Sequence, residues 1–215
     1  LNDSNEVVGI IYSDDMLKIL QDDQASSLYN FAGIVQSESV TDSAKAKVKN
    51  RYRWLIINLA TAFLASFTVG RFEPVLSKYV LLAVYMPIVA GMGGNAATQT
   101  LAVQVRGIAL KQIELKTAWK TLRNELGAGL MNGLINGVLV AAVVMVLNRD
   151  AKIAIILAMA MIINLLVAGF FGTLVPLIMQ KLGKDPATSA TIFITTATDI
   201  LGFMAFLGLA TIILK

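Results

Sequence analysis

The 215-residue chain is 56% hydrophobic and 15% charged, with a mean hydropathy of +0.70, the profile of an integral membrane protein rather than a soluble domain. It contains no Cys and no His, which excludes disulfides, thiolate or imidazole metal sites, and Ser-His-Asp or Cys-His catalysis within one chain. The net charge of +4 hides a division: residues 1–44 carry eight acids against Lys18 alone, while residues 45–215 carry 17 basic and 6 acidic side chains, so the two parts read as different domains.

Val7 to Tyr12 is a short apolar, β-branched run suited to a buried strand, and Ser13 with Asp14 and Asp15 then reads as the start of a helix, acids at its positive end. Met16, Leu17 and Leu20 give that helix an apolar stripe. Asp22 and Asp23 lie at its far end, where the dipole disfavours acids; they are either a solvated helix end or a site for a regulatory divalent cation. Residues 26–36 suit a short amphipathic helix, and the SESVTDSAKAKVK stretch after it reads as a linker that turns basic before the membrane. The acidic start carries no signal peptide, and the absence of an initiator Met reads as a fragment of a longer chain.

Five spans are predicted, at Trp54–Arg71, Lys78–Val105, Ala118–Leu147, Lys152–Gln180 and Pro186–Leu214. With the basic linker inside, the cytosolic segments hold 12 Lys and Arg and the opposite side holds 5, which places the N-terminus in the cytosol and the C-terminus outside. The second span is unusual. Its PIVAGMGGNAATQ segment brings Pro87, Gly91, Gly93, Gly94, Asn95 and Gln99 into the membrane, a density of Gly and Pro expected to break or distort a helix and free backbone carbonyls. Asn95 and Gln99, four residues apart, add a polar face. In the third span Gly129, Gly133 and Gly137 form a small-xxx-small ridge for close helix packing, with Asn132 and Asn136 beside it. Asn164, Gly169 and Gly172 in the fourth span are ambiguous between packing and a pore, and Pro176 is expected to kink its end.

The fifth span begins with Asp185 as N-cap and Pro186 as the first helical residue, and carries Asp199 near its centre. An acid at that depth costs about 2.5–3.5 kcal/mol, so it is expected to face a wet cavity, a partner or an ion path. Thr188, Thr191, Thr195, Thr198, Asp199 and Gly202 recur at spacings of three and four and form one polar stripe. The alternative is that the threonines bond back to their own helix and Asp199 is protonated against a neighbour. Any cation held here meets only oxygen ligands, which suit hard ions such as Mg²⁺, Ca²⁺ or Mn²⁺.

Three features are similar to the membrane domain of the MgtE family of magnesium channels and transporters: the PIVAGMGGNAATQ segment, the FEP that ends the first span, and DPA followed by TTATDILG in the fifth. The acidic start resembles the end of that family's second CBS module (residues 1–24), and residues 25–50 its connecting plug helix and basic linker, before a transmembrane domain over residues 51–215. The resemblance implies an all-α polytopic membrane protein. It implies a homodimer with five helices per subunit, a pore along the dimer axis and a short cytosolic α/β fragment. It also implies Mg²⁺ bound by Asp199 and by the backbone carbonyl of Thr195, with Asn95, Gln99, Gly94, Thr198, Gly202 and Glu73 along the path. Ala97 stands where the family has a second glycine after the GGN.

The function expected is passive conduction of hydrated Mg²⁺ into the cytosol, across the cell membrane. Cytosolic Mg²⁺ acting on the acidic N-terminal region, Asp22 and Asp23 included, is expected to close the path. The alternatives are a transporter of Co²⁺ or Mn²⁺, an exporter of the same fold, or a sensor that carries no flux. An intramembrane aspartyl hydrolase is disfavoured because Asp199 lacks the flanking glycines of that class. Neither an enzyme nor a nucleic-acid partner is expected.

Overall fold

The computed structural model describes residues 12–17, 38–114 and 117–214, with the side chains of residues 187–189 left aside. All regular structure in these residues is helical: α1 (Ala44–Gly70), α2 (Glu73–Lys78), α3 (Leu81–Ala109), α4 (Ala118–Asn148), α5 (Ala151–Lys181) and α6 (Pro186–Ile213). Residues 13–17 are also helical, their first N–H groups, of Asp15 and Met16, donating to the Tyr12 carbonyl. The expected strand, the helix at residues 26–36, Asp22 and Asp23 lie outside the described residues. Two compact units divide the chain, residues 1–52 and 53–215.

Five helices are long and apolar enough to cross a bilayer: α1, α3, α4, α5 and residues 190–213 of α6. The expected ends of the last three spans match within a residue or so, because Arg149-Asp150 and Asp185-Pro186 punctuate the chain. Arg149 closes α4 in the left-handed region at φ 54°, and Asp150 caps α5, its Oδ1 accepting from the N–H groups of Lys152 (3.0 Å) and Ile153 (3.1 Å). Two differences concern the first half. The basic residues from Lys45 to Arg53, expected in a linker, are already helical, since Ser43 Oγ accepts from the Ala46 N–H and starts α1 at Ala44. The hinge after the first span contains a separate short helix, α2, started by Glu73 and Pro74.

The larger correction is α3, which is one uninterrupted helix of 29 residues through Pro87 and the GGN. Hydrocarbon offers no alternative hydrogen-bond partner for a freed backbone group, so a segment here keeps its helix despite poor propensities. Within that segment Gly93 serves distance instead, while nothing lies within 4 Å of a Cβ at Gly91 or Gly94. A Cβ on Gly93 would lie 2.2 Å from Asn164 Nδ2, so only a hydrogen at that position lets α5 approach. Pro176, where a kink is expected, lies within α5, which continues helical past it to Lys181.

α5 is the central helix, fully burying Ile156, Leu157, Ala160, Asn164, Ala168, Thr173 and Leu177 against α3, α4 and α6. As the spacing predicts, the α4 ridge packs on α5 at backbone distance: Cβ atoms on Gly129, Gly133 and Gly137 would meet Leu165 O at 2.7 Å, Ile162 Cα at 2.7 Å and Ala158 O at 3.0 Å. Lipid tails are as apolar as these side chains, so close packing of this kind, rather than the hydrophobic effect, holds such helices together. The outward faces carry exposed apolar residues, including Leu55, Leu59, Phe63 and Phe67 on α1 and Leu134, Val138 and Val146 on α4, as expected where the solvent is hydrocarbon.

Candidate functional site

The site is assembled at mid-helix depth, where α3, α5 and α6 meet around one amide. Asn164 of α5 is completely buried, and its Nδ2 donates to the Val89 carbonyl of α3 at 2.8 Å. A Cβ at Gly93 of α3 or Gly202 of α6 would lie 2.2 Å or 2.6 Å from that Nδ2, so a glycine on each side of the amide makes room for it. The GGN segment and the Asp199 turn are thereby brought to a common helix. The Asn164 Oδ1 is buried without a hydrogen-bond partner among the described residues.

Around this junction the polar residues divide into two groups. Thr198 and Gly202, expected along the path, are buried inside the bundle, because the face of α6 bearing them packs onto α5. Thr198 Oγ1 donates to the carbonyls of Thr195 (2.9 Å) and Ile194 (3.3 Å), and Thr195 Oγ1 donates to those of Thr191 (3.0 Å) and Ile192 (3.2 Å). The threonines thus bond back to their own helix, as in the alternative reading of the stripe. The Thr195 carbonyl, expected as an ion ligand, already accepts a side-chain hydrogen bond.

Asp199 and Thr195 are half-buried, Gly94 is half-buried, and Asn95, Gln99 and Glu73 are exposed. Asp199 stands 13 residues into the 28-residue α6 and Asn95 stands 14 residues into the 29-residue α3, which puts both near the middle of helices about 42 Å long. Asp199, Asn95 and Gln99 have no side-chain hydrogen bond or ion pair among the described residues, whereas the exposed Thr98, between Asn95 and Gln99 in the chain, donates back to the Gly94 carbonyl at 2.9 Å. Glu73 lies apart from these, at the start of α2, whose other end is tied to the end of α6 by Tyr79, the hydroxyl donating to Leu214 O at 2.8 Å.

Among the described residues no three acids come close enough together to hold a metal, so one chain offers a cation at this junction a single carboxylate and neutral oxygens. That donor set suits an ion which keeps most of its water. Mg²⁺ dehydrates reluctantly and is commonly held through one or two carboxylates with several waters.

A polar group absent from the expected set emerges on α4. Glu125 is half-buried and accepts from Thr100 Oγ1 (3.2 Å) and Gln104 Nε2 (3.4 Å) of α3. It lines a cavity of about 170 Å³ with Gln99, Thr100, Asn132 and Gly129 among others. In the sequence it stands close to Lys120 and Arg123 and passes for an interfacial charge. Only the four- and five-residue offsets of Gln99, Thr100 and Gln104 on α3 signalled that a polar neighbour was needed.

Comparison with known proteins places this arrangement in context. The model of the MgtE family, described as a divalent cation transporter, matches residues 86–209, which include both Asn95 and Asp199. A magnesium transporter MgtE of Bacillus subtilis is 31% identical over 213 residues, covering 98% of this chain and 47% of the relative. One of Enterococcus faecalis is 30% identical over 211 residues, covering 98% and 46%, and one of Thermus thermophilus is 25% identical over 217 residues, covering 100% and 48%. The chain spans about half the length of the curated relatives it matches.

Proposed function

The chain belongs to the MgtE family of divalent cation transporters, and from that premise we propose that it conducts Mg²⁺ through the membrane along a path lined by Asp199, Asn95 and Gln99. The observation that carries this reading is the trio of unpartnered polar side chains at mid-helix depth. An amide or carboxylate facing hydrocarbon without a partner costs several kcal/mol, so these three call for water, an ion or a second copy of the chain. Relatives named magnesium transporters match along nearly the whole chain, which supports Mg²⁺ as the ion.

In this proposal two chains form a homodimer, and their Asp199 carboxylates flank one hydrated Mg²⁺ on the dimer axis. Two negative charges balance the dication, and the neutral amides of Asn95 and Gln99 accept hydrogen bonds from its water shell. A site this sparse in acids binds weakly enough to release, which conduction requires. The back-bonded hydroxyls of Thr195 and Thr198 give their protons to the helix and leave the Thr195 oxygen facing the path as an acceptor. The Thr195 carbonyl is the weaker candidate, since its lone pairs are in use. No catalysis is part of the reading.

The excess of Lys and Arg on one side of the spans supports a cytosolic N-terminus, an extracytosolic C-terminus and a cell-membrane location, with flux inward along the electrochemical gradient. Glu73, on the extracytosolic side in that orientation, then lies at the mouth. Gating belongs to the acidic module: cytosolic Mg²⁺ bridges Asp22, Asp23 and neighbouring acids, holding the path closed, and its loss lets the like charges separate. Uptake in a magnesium-auxotrophic strain tests the core of this. Cells dependent on the wild-type chain grow at low Mg²⁺; growth equally supported by Asp199→Ala would overturn the assignment. Flux of Co²⁺ or Mn²⁺ with Mg²⁺ excluded would replace the ion, and net efflux would reverse the direction.

A further inference from the structure

Glu125 and the cavity it lines are not used by the path described above. Three facts about them belong together. First, Glu125 is an acid within a membrane-spanning helix, seven residues into α4, about 10 Å from its start. Its only side-chain partners among the described residues are neutral donors, the Thr100 hydroxyl on Oε2 and the Gln104 amide on Oε1; no cationic side chain pairs with it. Second, the cavity of about 170 Å³ is lined by this carboxylate, the amides of Gln99 and Asn132, the Thr100 hydroxyl and small or apolar residues, with no Lys or Arg among the described residues. Third, Gln104 is only 1% exposed, stands behind the cavity wall rather than in its lining, and gives Glu125 a neutral donor instead of a counter-charge.

The close helix contacts explain why the cavity exists. Cβ atoms on Gly129 and Gly169 would meet Leu165 O at 2.7 Å and Glu125 O at 2.9 Å, so α4 and α5 touch along their backbones and the larger polar side chains are displaced toward α3. The surplus at this place is of acceptors and negative charge. Phosphate or another anion is repelled by such a lining. A cation whose bound waters donate hydrogen bonds satisfies it, and a cavity of this size has room for several waters beside the ion.

We propose that the Glu125 cavity is a second binding site for a hydrated divalent cation, distinct from Asp199, with Glu125 supplying the charge and Thr100 orienting its carboxylate. Gln99 belongs to both the proposed path and the cavity lining, so an ion leaving the level of Asp199 has a second resting place toward the start of α4, the end assigned to the cytosol. This last step rests on the conduction reading; the binding site itself does not.

The test is equilibrium binding of Mn²⁺, read by electron paramagnetic resonance on the purified chain in detergent, with Mg²⁺ as competitor. Beyond the Mn²⁺ held by the acidic N-terminal region, Asp22 and Asp23 included, the wild type is expected to show two classes of Mg²⁺-displaceable Mn²⁺. Glu125→Gln, which preserves shape and removes charge, should lose one class and keep the other; Asp199→Asn should do the converse, and the double variant should lose both. Helical circular dichroism and a single elution peak establish that each variant is folded. Should Glu125→Gln fail to fold, Thr100→Val keeps the charge and should weaken the second class by about tenfold, the scale on which a ligand's supporting partners act. Wild-type binding in whichever of the two variants folds, or loss of all Mn²⁺ in Glu125→Gln, would overturn the proposal. Wild-type binding in Asp199→Asn would instead sink the Asp199 reading and leave the Glu125 site standing.

Discussion

Replacing Gly93 by Ala sets a methyl carbon 2.2 Å from Asn164 Nδ2 and 2.8 Å from its Cγ. Neither atom can withdraw cheaply, because Asn164 is fully enclosed and its Nδ2 is bonded to the Val89 carbonyl at 2.8 Å. Overpacking costs about 1–3 kcal/mol and loss of the buried hydrogen bond about 1–2, while Ala in place of Gly returns about 1 through helix propensity. The net expectation is a destabilisation of about 1–4 kcal/mol. The decisive comparison is a double-mutant cycle with Asn164→Ala, which removes the obstructing amide. In that background Gly93→Ala should cost nothing or stabilise by up to about 1 kcal/mol, giving a coupling of about 1–5 kcal/mol between the two positions. Unfolding in mixed detergent micelles, followed by helical circular dichroism, reads each corner of the cycle. An equal cost of Gly93→Ala in both backgrounds would refute the claim that this glycine exists to admit Asn164.

Gly133→Ala should destabilise more than Gly94→Ala in the same assay, since its Cβ would lie 2.7 Å from the Ile162 backbone whereas nothing lies within 4 Å at Gly94; Gly94→Ala should nevertheless lower Mg²⁺ flux, being beside the path. Asp150→Ala removes the α5 cap and should cost about 0.5–2 kcal/mol of unfolding free energy with flux per folded protein unchanged. Tyr79→Phe, losing the bond to Leu214 O, should cost about 0.5–1.5 kcal/mol, again with little effect on flux. Deleting residues 1–44 should leave Mg²⁺ current while abolishing its inhibition by Mg²⁺ on the cytosolic face, measured in excised patches.

The features legible in the sequence were those governed by local chemistry. Asp185-Pro186 and Arg149-Asp150 mark helix ends because capping and proline act within a few residues, and the four-residue glycine spacing on α4 encodes a ridge whatever it packs on. Asp199 stands out in the sequence because an acid at the centre of a long apolar run has no inexpensive structural explanation, and what the structure adds is its half-buried place at the middle of α6. What escaped required knowing neighbours. The glycines of α3 signal a broken helix and a close-packed one equally well, and only the position of Asn164 between Gly93 and Gly202 separates the two. Periodicity put Thr198 on the stripe with Asp199, yet adjacent residues on α6 differ by about 100° around the axis, enough to turn Thr198 into the bundle. Glu125 drew no reading from the sequence, because its meaning depends on α3 supplying Thr100 and Gln104 to its carboxylate.

The claim that Asp199 carries the ion is tested most directly by Mg²⁺ flux into liposomes holding the purified chain, with a Mg²⁺-sensitive dye inside. The wild-type chain is predicted to give flux that Asp199→Asn, equally well folded and inserted, reduces to the level of empty liposomes. Asp199→Glu, which restores the charge, is predicted to recover part of it. Undiminished flux through Asp199→Asn would contradict the account.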